Sequence, residues 1–246
     1  MWRRGLLLTS AVLVFAETVS VGVLPPALLV FNSKDAPPPE AAGVSPDMKP
    51  FVDFERILFR ARAGEPVEAW RESLQPFLKL SAERGKGAAL KELALCWEAR
   101  ARMHAWDKIL RSAYVRKGRF PNSLEALLKT APEELRLDPW GGEWVYAPTA
   151  PPHSPHLVGQ RYQLGPSRYP KLSTIEAVAK SGPVGPSGKI SFSSLVGVNS
   201  LQVRGGPQGL NGNFQVGESF DGFTVLWLQK EAALLSGPDG FIPLEF

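Results

Sequence analysis

Apolar residues dominate the start of the chain, before a polar, proline-rich stretch begins at Asn32. Glu17 is the only charged residue between Gly5 and Phe31, and about 20 apolar residues are enough to cross a membrane as a helix. Two arginines precede this segment, so the positive-inside rule places the rest of the chain outside the cytoplasm. The pattern predicts a membrane anchor at residues 1–31, and a signal peptide cleaved after Ala16 is the alternative.

Helical periodicity begins after a linker that we expect at residues 32–50. Hydrophobic positions then recur at steps of three and four, the spacing of one face of an amphipathic helix. The strongest pattern runs from about Gly87 to Lys117. Gly118 is well placed to end this helix, because glycine readily adopts the left-handed conformation found at helix C-termini. We predict a helical module at residues 51–165.

A turn and two short strands are expected inside this module. Asp138-Pro139-Trp140-Gly141 has turn chemistry, since proline fixes one dihedral angle and glycine supplies freedom at the exit. We interpret Asp138 as the side chain that caps this turn. A short strand around Tyr146 is then expected to pair with a second strand at residues 161–164.

The end of the chain changes to short, evenly spaced apolar stretches. Residues 166–189 are rich in glycine and proline and are predicted to form a linker. Residues 190–246 hold five candidate strands separated by turn signals such as Asn211-Gly212, which favours a small β-barrel or β-sandwich that folds alone from about residue 186. The expected fold class is α+β, with a membrane-spanning helix, a helical module and an all-β domain in that order.

Composition narrows the functions open to this chain of 246 residues. Hydrophobic residues make up 44% and charged residues 21%, values that exclude a largely disordered or fibrous protein. The net charge of +4 is spread along the chain and does not form the basic face that nucleic-acid binding requires. A single cysteine, Cys96, excludes a disulfide framework and a cysteine-rich zinc site within one chain.

The sequence contains no recognisable catalytic or metal-binding constellation. His153 and His156 have no third ligand nearby, which indicates solvated side chains. Cys96 lies between Leu95 and Trp97 and is interpreted as a buried small hydrophobe. We therefore expect no catalytic, cofactor-binding or metal-binding residue and no enzymatic activity. A basic group on and after the long helix is interpreted as a solvated face: Arg100, Arg102, Arg111, Arg116, Lys117 and Arg119.

The segment Tyr114–Tyr146 resembles the C-terminal half of the major pseudopilin of type II secretion systems. In that family a long helix ends in a Gly-Arg-Tyr-Pro-like step, and a Leu-bearing short helix and an Asp-Pro-Trp-Gly turn lead into a Tyr-containing strand. The resemblance implies a pilin-like module in which Trp140 and Tyr146 are buried against the long helix. The matching positions are Tyr114, Gly118, Arg119, Phe120, Pro121, Leu124–Leu128, Asp138, Pro139, Trp140, Gly141, Val145 and Tyr146.

Calcium binding is a known property of that family and is not expected in this chain. The family holds the ion in an acidic loop, whereas residues 151–172 contain no Asp or Glu. A hard cation takes six to eight oxygen ligands, usually with several carboxylates among them. We therefore expect stability that does not depend on calcium.

The tail from Ser194 to Phe246 resembles the periplasmic homology-region domain of the inner-membrane C component of type II secretion. The resemblance implies binding to the periplasmic end of an outer-membrane secretin. A small sheet also exposes edge strands to which a partner can add a strand, and Val225, Trp227 and Leu228 are the partner-binding candidates. The matching positions are Val196–Val198, Gln215–Glu218, Phe220–Gly222, Val225–Leu228 and Leu234–Leu235.

Together these features favour a non-enzymatic structural or adaptor component of a type II secretion or type IV pilus-like machine. We expect a single span in the inner membrane with the body in the periplasm. The expected partner is a secretin-like or inner-membrane platform protein, without nucleic acid or cofactor. Two alternatives stay open, namely a stand-alone periplasmic binding module with a pilin-like fold and an exported hydrolase with an unrecognised site.

Overall fold

The computed structural model of the protein describes most of the chain, namely residues 31, 44–81, 83, 85–149, 161–186, 190–195, 199–206 and 209–246. Apart from Phe31, the anchor predicted at residues 1–31 lies outside these residues. Within the described ranges, no helix has the length and apolar character needed to cross a membrane. The described chain combines helices with antiparallel sheets and ends in an all-β region, which confirms the expected α+β class.

Six α-helices occur in the described part of the chain. The longest begins two residues before its predicted start and ends at the predicted residue. Gly118 follows it at φ +67° and donates its N–H to the carbonyl of Tyr114 at 2.7 Å, the glycine stop expected from the sequence. The helices are α1 (Lys49–Arg62), α2 (Val67–Arg71), α3 (Gln75–Leu78), α4 (Gly85–Lys117), α5 (Glu125–Leu128) and α6 (Ile175–Ser181).

The strands form three antiparallel sheets, in each of which chain neighbours are also sheet neighbours. β1 and β2 form a two-stranded sheet, β3, β4 and β5 a three-stranded sheet, and β6 to β9 a four-stranded sheet. The tail therefore has seven described strands where the sequence indicated five. The bounds are β1 (Val145–Thr149), β2 (Arg161–Gly165), β3 (Ile190–Leu195), β4 (Ser200–Gly205), β5 (Leu210–Gln215), β6 (Ser219–Phe220), β7 (Phe223–Leu228), β8 (Ala232–Ser236) and β9 (Phe241–Glu245).

The four-stranded sheet is the middle layer of the fold. Every residue of β8 is buried, the pattern of a strand that is covered on both faces. One face packs on the helices through the helix–sheet core, which includes Leu58, Trp97, Val178, Leu226, Leu234 and Phe241. The other face packs on the three-stranded sheet through the sheet–sheet core, which includes Leu201, Val203, Phe220, Phe223, Val225 and Leu235.

The boundaries of the predicted linkers differ from those in the structure. Residues 166–189 were expected to form a linker but contain α6, whose Ile175 and Val178 are buried in the helix–sheet core. Thr174 caps this helix by accepting a hydrogen bond from the N–H of Ala177 at 3.3 Å. A fragment starting at residue 186 would therefore leave one face of the four-stranded sheet uncovered, contrary to the expectation that the tail folds alone. The first linker also ends early, because Met48 is buried.

A further hydrophobic cluster, here the turn core, packs the second half of α4 against residues 120–172. Trp106 and Trp144 are buried there, and both indole N–H groups donate to the carbonyl of Leu135, at 3.1 and 2.9 Å. Trp140 was expected in this position but is only half-buried, with its indole N–H donated to Glu92 at 3.2 Å. The buried tryptophan of the motif is thus Trp144, which follows the turn.

Asp138 joins the predicted turn to a distant segment of the chain. One carboxylate oxygen accepts the backbone N–H groups of Trp140 and Gly142 at 2.9 and 2.8 Å, which confirms the capped turn. The other accepts the N–H and the hydroxyl of Ser167 at 2.8 and 2.7 Å. Burial alone would raise the pKa of Asp138, but these hydrogen bonds stabilise the carboxylate and hold the pKa below its ordinary value.

Arg100 is the most buried charged residue of the long helix, with 1% of its surface exposed. Its guanidinium forms an ion pair with Asp239 and donates to the carbonyls of Ser173 and Pro238 at 3.0 and 2.9 Å. The charge also lies 4.9 Å from the ring centroid of Trp97. The expectation of a solvated basic face is therefore wrong for this residue, because two distant chain segments and its own helix enclose it.

We expect Arg100→Met to lower the free energy of unfolding by about 3–5 kcal/mol, because it leaves the buried Asp239 carboxylate unpaired. Arg111→Met is the matched control, since it removes another Arg–Asp pair from α4, the one with Asp107. The Arg111 side chain is 73% exposed, and exposed pairs contribute roughly 0–1 kcal/mol. Chemical denaturation of both variants measures the difference. Equal losses would show that the buried pair does not hold the layers together.

Asp138→Asn should lower the free energy of unfolding by roughly 1–3 kcal/mol at pH 7, since the carboxylate accepts four hydrogen bonds. Because the folded pKa is depressed, this stability is complete above the unfolded pKa of about 3.9 and is lost as pH falls through the folded pKa. In urea titrations the difference in unfolding free energy between parent and variant should therefore stay constant from pH 7 to about pH 5 and narrow as the pH falls below about 4. Glu143→Gln, at an exposed neighbour, is the control, and a difference independent of pH would contradict this role.

Candidate functional site

The motif residues singled out in the sequence gather around the second half of α4. Gly118 ends the helix, and the carbonyl of Pro121 accepts the hydroxyl of Tyr146 at 2.8 Å. The turn Asp138-Pro139-Trp140-Gly141 closes with a hydrogen bond from Gly141 N–H to Asp138 O at 2.9 Å. Tyr146 is half-buried rather than fully buried. These contacts satisfy the polar atoms of the motif internally, which indicates a structural role.

The partner-binding candidates on β7 pack against the two cores of the C-terminal region. Val225 is fully buried in the sheet–sheet core, and Leu228 packs against the same core. Trp227 faces the helices instead. The pairing of β7 with β8 shifts register between Val225 and Trp227, and this bulge turns the side chains of Leu226 and Trp227 to the same side of the sheet. β7 is also a central strand, with β6 and β8 on either side. Both of its faces therefore pack on a hydrophobic core, while β8 pairs along one edge and β6 pairs with Phe223 and Thr224 on the other.

A cleft of about 960 Å³ lies between α4, β2 and the segment leading into α6. Its apolar lining comes mainly from the turn core. Several polar side chains converge on the same space, which is the usual composition of a binding pocket. The apolar residues are Met103, Phe120, Leu164, Leu172 and Ile175, and the polar ones include His104, Asp107, Arg111, Tyr162 and Glu176.

The polar groups of the cleft are largely paired with each other. Asp107 accepts a hydrogen bond from the hydroxyl of Tyr162 and forms an ion pair with Arg111. Burial and this hydrogen bond raise the pKa of Tyr162, so the phenol stays a neutral donor. His104 Nδ1 lies 3.6 Å from a carboxylate oxygen of Glu176. The sequence placed His104 and Asp107 three positions apart on one helix face, but the partners from distant segments follow only from the fold.

Serine hydroxyls and cysteine thiols of the described residues lie away from the cleft. Its described lining residues include neither serine nor cysteine, and the hydroxyl of Thr174 is engaged in capping α6. Cys96 is fully buried, as predicted, and burial raises the pKa of its thiol to about 12. The cleft therefore offers charged and polar groups that can bind a ligand.

Metal-ligating side chains do not cluster in the described ranges. No group of three or more His, Cys, Asp or Glu residues is placed there to hold a metal ion. His153 and His156 lie outside the described residues. Independence from calcium thus stays a prediction.

The outer strands of the tail sheets differ in how well their edges are protected. In the four-stranded sheet, β6 has only two residues and β9 carries Pro243 and Glu245. Short length, proline and charge are features that discourage pairing with another chain. In the three-stranded sheet, β3 and β5 are the edges, and neither contains proline or a charged residue. These two edges are the best candidates for contact with a partner strand.

Comparison with family models, with curated proteins and with solved structures finds no match to this chain. The two resemblances to type II secretion components therefore stay predictions that rest on short sequence motifs.

Proposed function

We propose that this chain is a non-enzymatic, envelope-anchored adaptor of a type II secretion or type IV pilus-like machine. The observation that carries the proposal is the order of elements from α4 to β1. A long helix, a glycine stop at Gly118, a short helix and the turn at Asp138 lead into the strand that contains Tyr146. This is the order that the resemblance to the major pseudopilin requires, and the three-dimensional contacts of the motif support it.

In this proposal the C-terminal β region docks a secretin-like partner through β3. The candidates on β7 pack against hydrophobic cores, and Val225 is fully buried, whereas β3 is an edge strand without proline or charge. Ser191 and Ser193 are exposed on its outer face. A partner strand can extend the sheet there through main-chain hydrogen bonds, with side-chain contacts supplying specificity.

The proposal includes an anchor at residues 1–31 that holds the body near the inner membrane. Phe31 is buried, and its ring centroid lies 5.3 Å from that of Phe241 in β9. The end of the anchor therefore rests on the body of the protein.

A pull-down tests the docking proposal. The tagged full chain is cross-linked in membranes of the source organism and purified in mild detergent. It should recover an outer-membrane secretin, which mass spectrometry identifies. The double variant Ser191→Lys/Ser193→Lys should lose most of this recovery, because lysines on an edge strand oppose strand addition. Asn211→Lys/Asn213→Lys, on the opposite edge of the same sheet, is the matched control: it leaves β3 unchanged and should retain clearly more of the recovery than the β3 variant. Absence of a secretin with correctly folded bait would favour the stand-alone binding module.

Cell fractionation tests the anchor separately. The full chain should sediment with the inner membrane and resist extraction by high salt, because a span of about 20 apolar residues inserts stably. Protease added to spheroplasts should digest the body from the periplasmic side. A soluble product that begins at Glu17 would show a cleaved signal peptide and remove the anchor from the proposal.

A further inference from the structure

β5 (Leu210–Gln215) has an edge that is open over a short and well-defined stretch. At its end, Gln215 donates its N–H to the carboxylate of Glu218 at 2.8 Å, and its carbonyl accepts the N–H of Glu218 at 3.0 Å. Both outward groups of Gln215 are thus engaged within the chain. Glu218 closes the edge at this point.

The direction of the remaining backbone groups follows from the pairing of β5 with β4. In an antiparallel pair, every second residue bonds the neighbouring strand and those between point away from it. The backbone groups of Gln215 point away from β4, so those of Asn213 and Asn211 also point outward. The backbone groups of Leu210, Gly212 and Phe214 lie between them and bond β4. No described residue bonds the outward groups of the two asparagines. The open stretch is therefore centred on Gly212.

We propose that this stretch binds β5 of a second copy of the chain, antiparallel to itself, with Gly212 on the twofold axis. Asn211 then lies opposite Asn213 of the second copy, and the reverse pair follows by symmetry. Both pairs bring outward-pointing groups together, so four backbone hydrogen bonds form. The two three-stranded sheets become one continuous sheet of six strands.

The sequence of β5 fits this partner on both faces. No charged residue lies in the strand, so pairing with an identical strand brings no like charges together. On the inner face, half-buried Leu210 comes opposite half-buried Phe214 of the second copy, which extends the sheet–sheet core across the interface. Glycine at the axis places no side chain where the two backbones approach each other most closely.

Cysteine cross-linking tests the register. In an equimolar mixture of full-length Asn211→Cys and Asn213→Cys chains in mild detergent, oxidation should yield a heterodimer. Opposed residues in this pairing have Cα atoms about 5.5 Å apart, within the range of a disulfide. Each variant alone should cross-link poorly, because identical positions lie about 9 Å apart across the axis, beyond the limit of about 7 Å. Cys96 is fully buried and does not compete.

Sedimentation of the uncross-linked chain in detergent tests the interface itself. Asn211→Lys/Asn213→Lys places two lysine pairs face to face and should raise the dimer dissociation constant roughly tenfold or more. Ser191→Lys/Ser193→Lys, the same change on β3, should leave it unchanged, and circular dichroism verifies folding. Three results would overturn the proposal. The parent chain could be monomeric, each cysteine variant alone could cross-link as well as the mixture, or the two lysine variants could change the dissociation constant equally. These results do not depend on recovery of a secretin, so the two proposals fail separately.

Discussion

The buried ion pair between Arg100 and Asp239 joins the long helix to the four-stranded sheet at the centre of the fold. A guanidinium with almost no exposed surface must find an opposite charge and several acceptors, since an unpaired charge in the interior is strongly unfavourable. Arg100 finds them in the turn between β8 and β9 and in the segment before α6. These contacts join the long helix, the four-stranded sheet and the segment before α6, next to the hydrophobic contacts of the helix–sheet core.

This arrangement limits where a partner can bind. With helices on one face and a second sheet on the other, the four-stranded sheet has no open face, and its edges are short or carry proline and charge. The three-stranded sheet is different, because only its inner face is covered. Its outer face and two uncharged edges remain accessible among the described residues, which concentrates recognition on β3 and β5.

Much of the local structure could be predicted from the sequence because its causes are local. The period of α4, the glycine that ends it and the Asp138 turn depend on residues within a few positions of each other. The packing of both faces of β7 and the burial of Arg100 could not be predicted, since the helices, β4 and the β8–β9 turn that enclose them are brought together only by the fold. The prediction that Trp140 is buried failed for the same reason. Trp144 takes the interior position instead, where its indole N–H is donated to the carbonyl of Leu135.

The two open edges of one sheet can act together. Pairing through β5 leaves β3 uncovered in each copy, because the two strands lie on opposite sides of β4. A twofold dimer would therefore present two identical β3 edges to a partner. Weak binding at each edge would then be strengthened by avidity toward a partner that itself occurs in many copies. If the partner is the secretin-like protein proposed above, self-association through β5 would strengthen its docking at β3.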